Sequence, residues 1–204
     1  MLAELAKRHR KVYPVFMRCG LIWEETELRH LRRFLRAITI TPLTTHHSPL
    51  TILDLSVRDL YGGHWSTTGR GVPGETSPDM AVYLPGRNLL LLSKAAVFCA
   101  RHDIRTIAIG SLRGNPFPDA TPTFFRRFAA VAGGALGCRL RVVAPLRGLT
   151  KAQVIRRGHN LPLHLSFSCL SPKRGVHCGS CNKCAERQEA FAETGVEDNT
   201  NYAQ

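Results

Sequence analysis

Four cysteines fall within sixteen residues near the end of the chain, in the run Cys169-Leu-Ser-Pro-Lys-Arg-Gly-Val-His-Cys178-Gly-Ser-Cys181-Asn-Lys-Cys184. The spacing is C-x8-C-x2-C-x2-C. Each C-x2-C pair lets two thiolates bite one ion from a tight turn, and four soft ligands complete a tetrahedron around zinc. Gly175 and Gly179 stand where such turns need permissive backbone angles. A closed set of four thiolates leaves no open position for chemistry, so the expected metal is a structural Zn2+ held by Cys169, Cys178, Cys181 and Cys184. A disulfide pair, an iron–sulfur cluster and free thiols are the alternatives. His177 adjoins Cys178, but four cysteines already fill the shell.

The rest of the chain is consistent with that reading. It has 204 residues, 44% of them hydrophobic, which suffices for one large domain or one domain with a small appendage. No apolar run is long enough to span a membrane, and the N-terminus does not read as a signal peptide. Clustered cysteines in such a chain point to the reducing cytoplasm and to metal rather than to disulfides. Cys19, Cys99 and Cys138 sit among apolar neighbours and read as buried, unreactive thiols.

Twenty-eight Lys and Arg face fifteen Asp and Glu, a formal net charge of +13. The bases concentrate early, at Lys7, Arg8, Arg10 and Lys11, then at Arg29, Arg32, Arg33 and Arg36. Such a balance suits nucleic acid or small anions as partners, or simply a solvated helix face.

Apolar periodicity gives helices at Leu2–His9, Leu21–Ile38, Leu89–Arg101, Thr123–Ala132, Thr150–Arg157 and Ala185–Phe191, and strands at Val12–Met17, Thr51–Leu55, Arg105–Gly110 and Leu140–Ala144. Strand and helix alternate. The expected fold class is therefore α/β, a Rossmann-like parallel sheet with helices on both faces plus a small C-terminal zinc-binding segment. The expected domains are 1–160, an α/β nucleotide-binding-type domain, and 161–204, the four-cysteine segment with the C-terminal helix. Residues 56–84 are rich in Gly, Ser, Thr and Pro and read as a long loop, either functional or disordered. Asp198–Gln204 reads as a polar tail with no need of order. His46 and His47 read as loop residues, and His64 lies in the Gly-rich loop.

Ligands of parallel sheets bind at the carboxyl ends of the strands. Those ends are Arg18–Leu21, 56–87, Gly110–Asp119 and Pro145–Lys151. Arg87 and Asn88 open a helix there and could clamp a phosphate or carboxylate. Asp119 could accept hydrogen bonds from a heterocycle, help hold Mg2+, or cap a helix. Lys151 opens another helix, a position that favours an anion nearby. Neither G-x-x-x-x-G-K-[ST] nor G-x-G-x-x-G occurs.

Read in order, these segments resemble a known family. The run from Ser168-Cys169 through His177-Cys-Gly-Ser-Cys-Asn-Lys-Cys-Ala-Glu-Arg187-Gln-Glu-Ala-Phe191 is similar to the C-terminal zinc motif of the 7-cyano-7-deazaguanine synthases of queuosine biosynthesis, the ExsB-like group. Pro85-Gly-Arg-Asn88 resembles their P-x-R-N turn, Asn115-Pro-Phe-Pro-Asp119 their loop ending in Pro-Asp, and Ala144-Pro-Leu with Thr150-Lys151 their A-P-L…[ST]-K segment. The resemblance implies the adenine nucleotide α-hydrolase-like fold of PP-loop ATPases. It implies a carbon–nitrogen ligase that uses ATP with Mg2+ to turn 7-carboxy-7-deazaguanine and ammonia into 7-cyano-7-deazaguanine. It implies substrate or nucleotide contacts at Arg87, Asn88, Gly110, Asp119 and Lys151, a homodimer, and Arg187 as a brace for the zinc loop. A paralogue modifying tRNA or another carboxylate, or a non-catalytic remnant, is the second reading.

Two departures accompany it. The family's S-G-G-x-D-S loop does not occur in the 204 residues, and by the resemblance it would fall immediately upstream of Met1, which leaves the enzyme assignment open. The family's Asp-Cys-Arg reads Asp119-Ala120-Thr121 here, and its Trp-Ser-Cys reads Phe167-Ser168-Cys169.

Overall fold

The computed structural model describes residues 1–39 and 47–203. His46 lies outside them. The chain forms two compact units: one of Met1–Pro78 with Lys151–Gln204, the other of Asp79–Thr150.

The first unit opens with α1 (Leu2–Ala6), shorter than the Leu2–His9 expected, followed by β1 (Val15–Arg18). Pro14 lacks an N–H and so cannot donate to a ladder, although its carbonyl accepts from Thr51 N–H at 3.0 Å. That proline marks the start of regular pairing, three residues later than the apolar run begins. Helix α2 (Glu24–Thr39) follows. Its Leu28, Leu35 and Ile38 are buried and its four arginines are exposed, the split that an amphipathic stripe produces. It starts at Glu24 rather than Leu21 because the Glu24 carboxylate accepts the backbone N–H groups of Cys19 and Gly20. Strand β2 (Thr51–Asp54) pairs in parallel with β1, Val15 opposite Thr51 and Arg18 opposite Asp54.

Residues 56–78 contain two short helices where a loop was expected, α3 (Arg58–Tyr61) and α4 (Trp65–Thr68). His64 caps α4: its Nδ1 accepts the Ser66 N–H at 3.3 Å. Trp65 stacks on Trp23, ring centroids 5.7 Å apart, and fixes the segment on the root of α2.

The second unit is built on α5 (Arg87–Arg101), β3 (Thr106–Ala108), α6 (Pro122–Ala135) and β4 (Arg141–Val143). β3 and β4 are parallel, Thr106 opposite Arg141. Leu92, Ala96 and Cys99 of α5 pack with Ile107, Phe125 and Leu140 to form its core. Thr121 caps α6 by accepting the Phe124 N–H at 3.1 Å, and Pro122 occupies the first turn, where a missing donor costs nothing.

The chain then returns to the first unit with α7 (Lys151–Arg157) and α8 (Asn182–Thr194). Ala152 and Ile155 of α7 pack against Ala190 and Phe191 of α8.

The class is α/β with parallel strands, as the alternation implies. The sheet is smaller than the doubly covered one expected: among the described residues the strands pair as two two-stranded sheets, one in each unit. Strand periodicity locates each strand, but pairing partners and sheet size are set by contacts between residues far apart in sequence. Cys19 and Cys99 are buried; Cys138 is only half-buried, against expectation, because it lies beyond the end of α6 in the turn leading to β4. Burial, with Cys138 nearby, pushes the Cys99 thiol up to about 11.

Candidate metal centre and polar cluster

The Sγ atoms of Cys169, Cys178, Cys181 and Cys184 all lie within 4.8 Å of one another, and all four residues are buried. Cys178 and Cys184 are 3.9 Å apart and Cys181 and Cys169 are 4.0 Å apart. A zinc tetrathiolate with bonds of about 2.3 Å has edges of about 3.8 Å. The cluster therefore fits a zinc ion, and the four thiols expected to converge do converge.

Backbone donors surround it. Cys178 N–H points at Cys169 Sγ (3.2 Å), Ser171 N–H at the same sulfur (3.3 Å) and Leu170 N–H at Cys181 Sγ (3.4 Å). Such donors offset thiolate charge where water cannot reach. Gly179, at φ +83°, supplies the turn inside the C-x2-C pair, and Cys181 then begins α8, which carries Cys184. The helix expected at Ala185–Phe191 thus includes a ligand residue.

His177 is fully buried beside this cluster without joining it. Its Nε2 accepts the Ser168 N–H at 3.2 Å. Its ring sits against Phe167 (4.8 Å), His30 of α2 (5.7 Å) and Tyr202 (5.8 Å). Burial, with the Arg187 charge, pushes His177 down to about 4, so the ring is neutral. The described part of the tail, read from the sequence as having no need of order, is tied to this centre: Ala203 N–H donates to the His177 carbonyl at 2.7 Å, and Thr200 is buried.

Arg187 ties the segment before the cysteines to the C-terminal tail, rather than the cysteine loop to the body of the domain as the resemblance implies. It is buried, and its guanidinium donates to Leu163 O (2.8 Å), Ser166 Oγ (3.0 Å) and Thr200 Oγ1 (2.7 Å). The 56–78 segment supports the centre from another side, since Asn182 N–H donates to Pro73 O (3.0 Å) and Asn182 Nδ2 to Ser77 O (2.7 Å). Nothing in the sequence marks Tyr202 or His30 as members of this centre, and Phe167 and Asn182 stand in the motif run with no role attached to them.

In the second unit, Asn88 and Asp119 come together. Asp119 is buried and its Oδ2 accepts the Asn88 backbone N–H at 2.9 Å, while Asn88 Nδ2 reaches Oδ1 at 3.3 Å. Asp119 does act as a helix cap, but on α5 rather than on the helix that follows it. Arg87 precedes this lock, and its Nε is buried without a partner among the described residues. Ser111 Oγ is in the same condition. Gly110 is exposed at the end of β3, with open space where a side chain would stand. Ala120 is buried and Thr121 caps α6, so the two residues that replace Cys and Arg in the resembling loop serve the fold.

Lys151 lies in the first unit. Its ammonium pairs with Glu186 at 2.9 Å, and Glu186 also pairs with Lys183 at 2.7 Å. Burial pulls Lys151 below the ordinary lysine range, opposed by Glu186. Among the described residues no helix is long and apolar enough to cross a membrane.

The elements define an α/β protein of parallel strands with a four-cysteine, metal-fitting segment joined to its C-terminal helix. Comparison with known proteins gives the family: residues 2–195 match the profile of the queuosine biosynthesis protein QueC, and the chain belongs to that family. A 7-cyano-7-deazaguanine synthase of Methanothermobacter thermautotrophicus is 33% identical over 165 residues, covering 74% of this chain and 74% of that protein. The Myxococcus xanthus synthase is 32% identical over 195 residues, 87% of this chain and 81% of that protein. The Anaeromyxobacter dehalogenans synthase is 39% identical over 130 residues, 59% and 56% respectively, so the matched part is about half of that relative.

Proposed function

We propose that this chain carries out 7-cyano-7-deazaguanine synthase chemistry: ATP-dependent ligation of ammonia to 7-carboxy-7-deazaguanine, through the amide to the nitrile. The observation that carries the reading is the family match over residues 2–195, with relatives that bear that name. The tRNA-modifying and remnant alternatives have no comparable support.

A carboxylate is a poor electrophile, so each of its oxygens must leave as part of a phosphate ester. The protein's work is positioning and charge neutralisation. Asp119, held by both donors of Asn88, is a fixed acceptor at the start of α5 that would orient the amine edge of the heterocycle. Arg87, with an unpartnered Nε, would meet the carboxylate or phosphate with its planar fork. Gly110 would let a ligand approach the backbone at the end of β3. Lys151 would meet phosphate on release from Glu186. Neither G-x-x-x-x-G-K-[ST] nor S-G-G-x-D-S occurs in the 204 residues. Zn2+, when bound to the four cysteines, would supply a cross-link with no open coordination position. Thiolate ligands accord with a cytoplasmic location.

The test is to incubate the purified chain with 7-carboxy-7-deazaguanine, ATP, Mg2+ and ammonium and to follow the base by mass spectrometry. Loss of two waters relative to the ammonium salt marks the nitrile. Nucleotide turnover that is independent of the carboxylate and ammonia would refute the reading.

A further inference from the structure

We infer that the exposed face of α2, together with the turn at Lys173–Val176, is a docking surface for the phosphate backbone of double-stranded RNA. The inference rests on the surface of the first unit alone and is independent of the ligase reading.

Arg29, Arg32, Arg33 and Arg36 stand at i, i+3, i+4 and i+7, so one stripe of α2 carries all four, over about 10 Å of helix. All four are exposed. Like charges at these spacings repel and weaken the helix, and acids on the helix do not relieve them. Glu24 caps the preceding turn, Glu25 pairs with Arg18 at 2.8 Å, and Glu27 lies two to nine positions from the arginines, not at the i+3 or i+4 spacing that would pair it with one. Arg32, Arg33 and Arg36 have no acidic partner among the described residues.

The zinc-type segment extends this stripe. Lys173 and Val176 bridge a two-residue turn whose tip is Arg174 and Gly175. Arg174 has φ +50°, a left-handed conformation that glycine or asparagine adopts far more readily than arginine. The strain sets a guanidinium at the tip of an exposed turn. That tip lies directly beside α2: a β-carbon added at Gly175 would sit 3.1 Å from Arg29 Nη2, and His30 Nε2 contacts Gly175 O at 3.4 Å. The buried His30 thus pins the turn to the helix, and six cations form one surface.

The character of the surface selects its partner. Leu28, Leu35 and Ile38 face inward and are buried, so α2 has no apolar side to insert into a bilayer. The stripe lacks the apolar and aromatic centre of a protein interface. Phosphates need only cations, and guanidinium forks match them. A helix that reads B-DNA directly lies in the major groove, whereas α2 has the Lys173–Val176 turn packed beside its arginine stripe at Arg29. A broad basic face suits the shallow minor groove of an A-form helix, with its phosphate edges exposed.

The test uses the full chain and fluorescence anisotropy with a labelled RNA duplex of about 16 bp, between 50 and 200 mM salt. Micromolar binding is expected, with a log–log salt slope near −6, about one unit for each phosphate met by the six cations. Arg32→Ala/Arg33→Ala/Arg36→Ala should weaken binding at least tenfold and remove about three units of slope. Alanine favours the helix, so folding is retained. Lys173→Ala/Arg174→Gly relieves the turn and should remove about two units. Arg126→Ala/Arg141→Ala, in the other unit, should change affinity less than twofold. Equal binding to a B-DNA duplex of the same length, equal competition by polyglutamate, or an unchanged slope in both surface variants would overturn the proposal.

Discussion

Asp119 shows how a single side chain acquires its role. A carboxylate after Pro-Phe-Pro can cap a helix or face a ligand, and local pattern does not choose between them. In the structure both donors of Asn88, thirty-one residues away, close on it. Removing this carboxylate leaves the Asn88 N–H at the start of α5 without its partner in a half-buried place, while the Asn88 amide keeps only the Asp119 carbonyl at 3.3 Å. Asp119→Ala should therefore cost about 1–3 kcal/mol, the penalty of a buried unsatisfied donor. Urea denaturation measures it; a change below about 0.5 kcal/mol would mean that water replaces the carboxylate. Lys151 is the converse case. Its place at a helix start suggested an anion, and the anion it meets in the fold is Glu186, thirty-five residues on.

At the scale of elements, the cysteine run was legible because metal-ligand spacing is local. Turn geometry and a two-residue separation suffice to aim two thiolates at one point, and the four Sγ atoms do converge. One zinc per chain is expected by metal analysis of the purified protein. Cys181→Ser should abolish stoichiometric zinc and lower the melting temperature by well over 10 °C. It removes a ligand and the start of α8 together, and structural zinc contributes roughly 10–16 kcal/mol in small peptides. A variant that keeps full zinc content and stability would refute the tetrathiolate. The elements around the centre were not legible. The segment 56–78 reads as a loop from its glycines and prolines, yet it supplies Pro73 and Ser77 as acceptors for Asn182. The tail reads as polar with no need of order, yet it covers His177. Both roles rest in large part on backbone groups (the carbonyls of Pro73 and Ser77, the N–H of Ala203), which any sequence offers and which composition does not reveal.

At the scale of the molecule, ion pairs join parts of the chain that are far apart in sequence. Arg157 of α7 reaches Glu4 of α1 at 2.6 Å, and Lys151 reaches Glu186. The Arg157 hydrogen bond holds the Glu4 carboxyl below the ordinary range. At Glu186 burial pushes upward, but Lys151 and Lys183 together outweigh it and the carboxyl again lies below its usual value. A carboxyl depressed in the folded state contributes stability above the unfolded pKa, near 4.3. That stability is lost as pH falls through the folded value. The melting temperature should be flat from about pH 7 to 5 and drop below that. Glu4→Gln/Glu186→Gln should flatten the acid limb while lowering the plateau. An acid limb unchanged by the double substitution would assign the effect to other groups.

The sequence by itself determined the α/β class, the position of all four strands and of six of the eight α-helices among the described residues, the cysteine cluster that could hold a metal, and the family. Each of these depends on short-range periodicity, on spacing, or on motifs read in order. Tertiary structure alone decided how the strands pair, which acceptor closes each helix, how the histidine and aromatic side chains surround the cysteine cluster, and that the arginine stripe of α2 meets the Lys173–Val176 turn. These depend on contacts between residues tens to more than a hundred positions apart, whose partners are fixed by packing and by the need to satisfy buried polar groups.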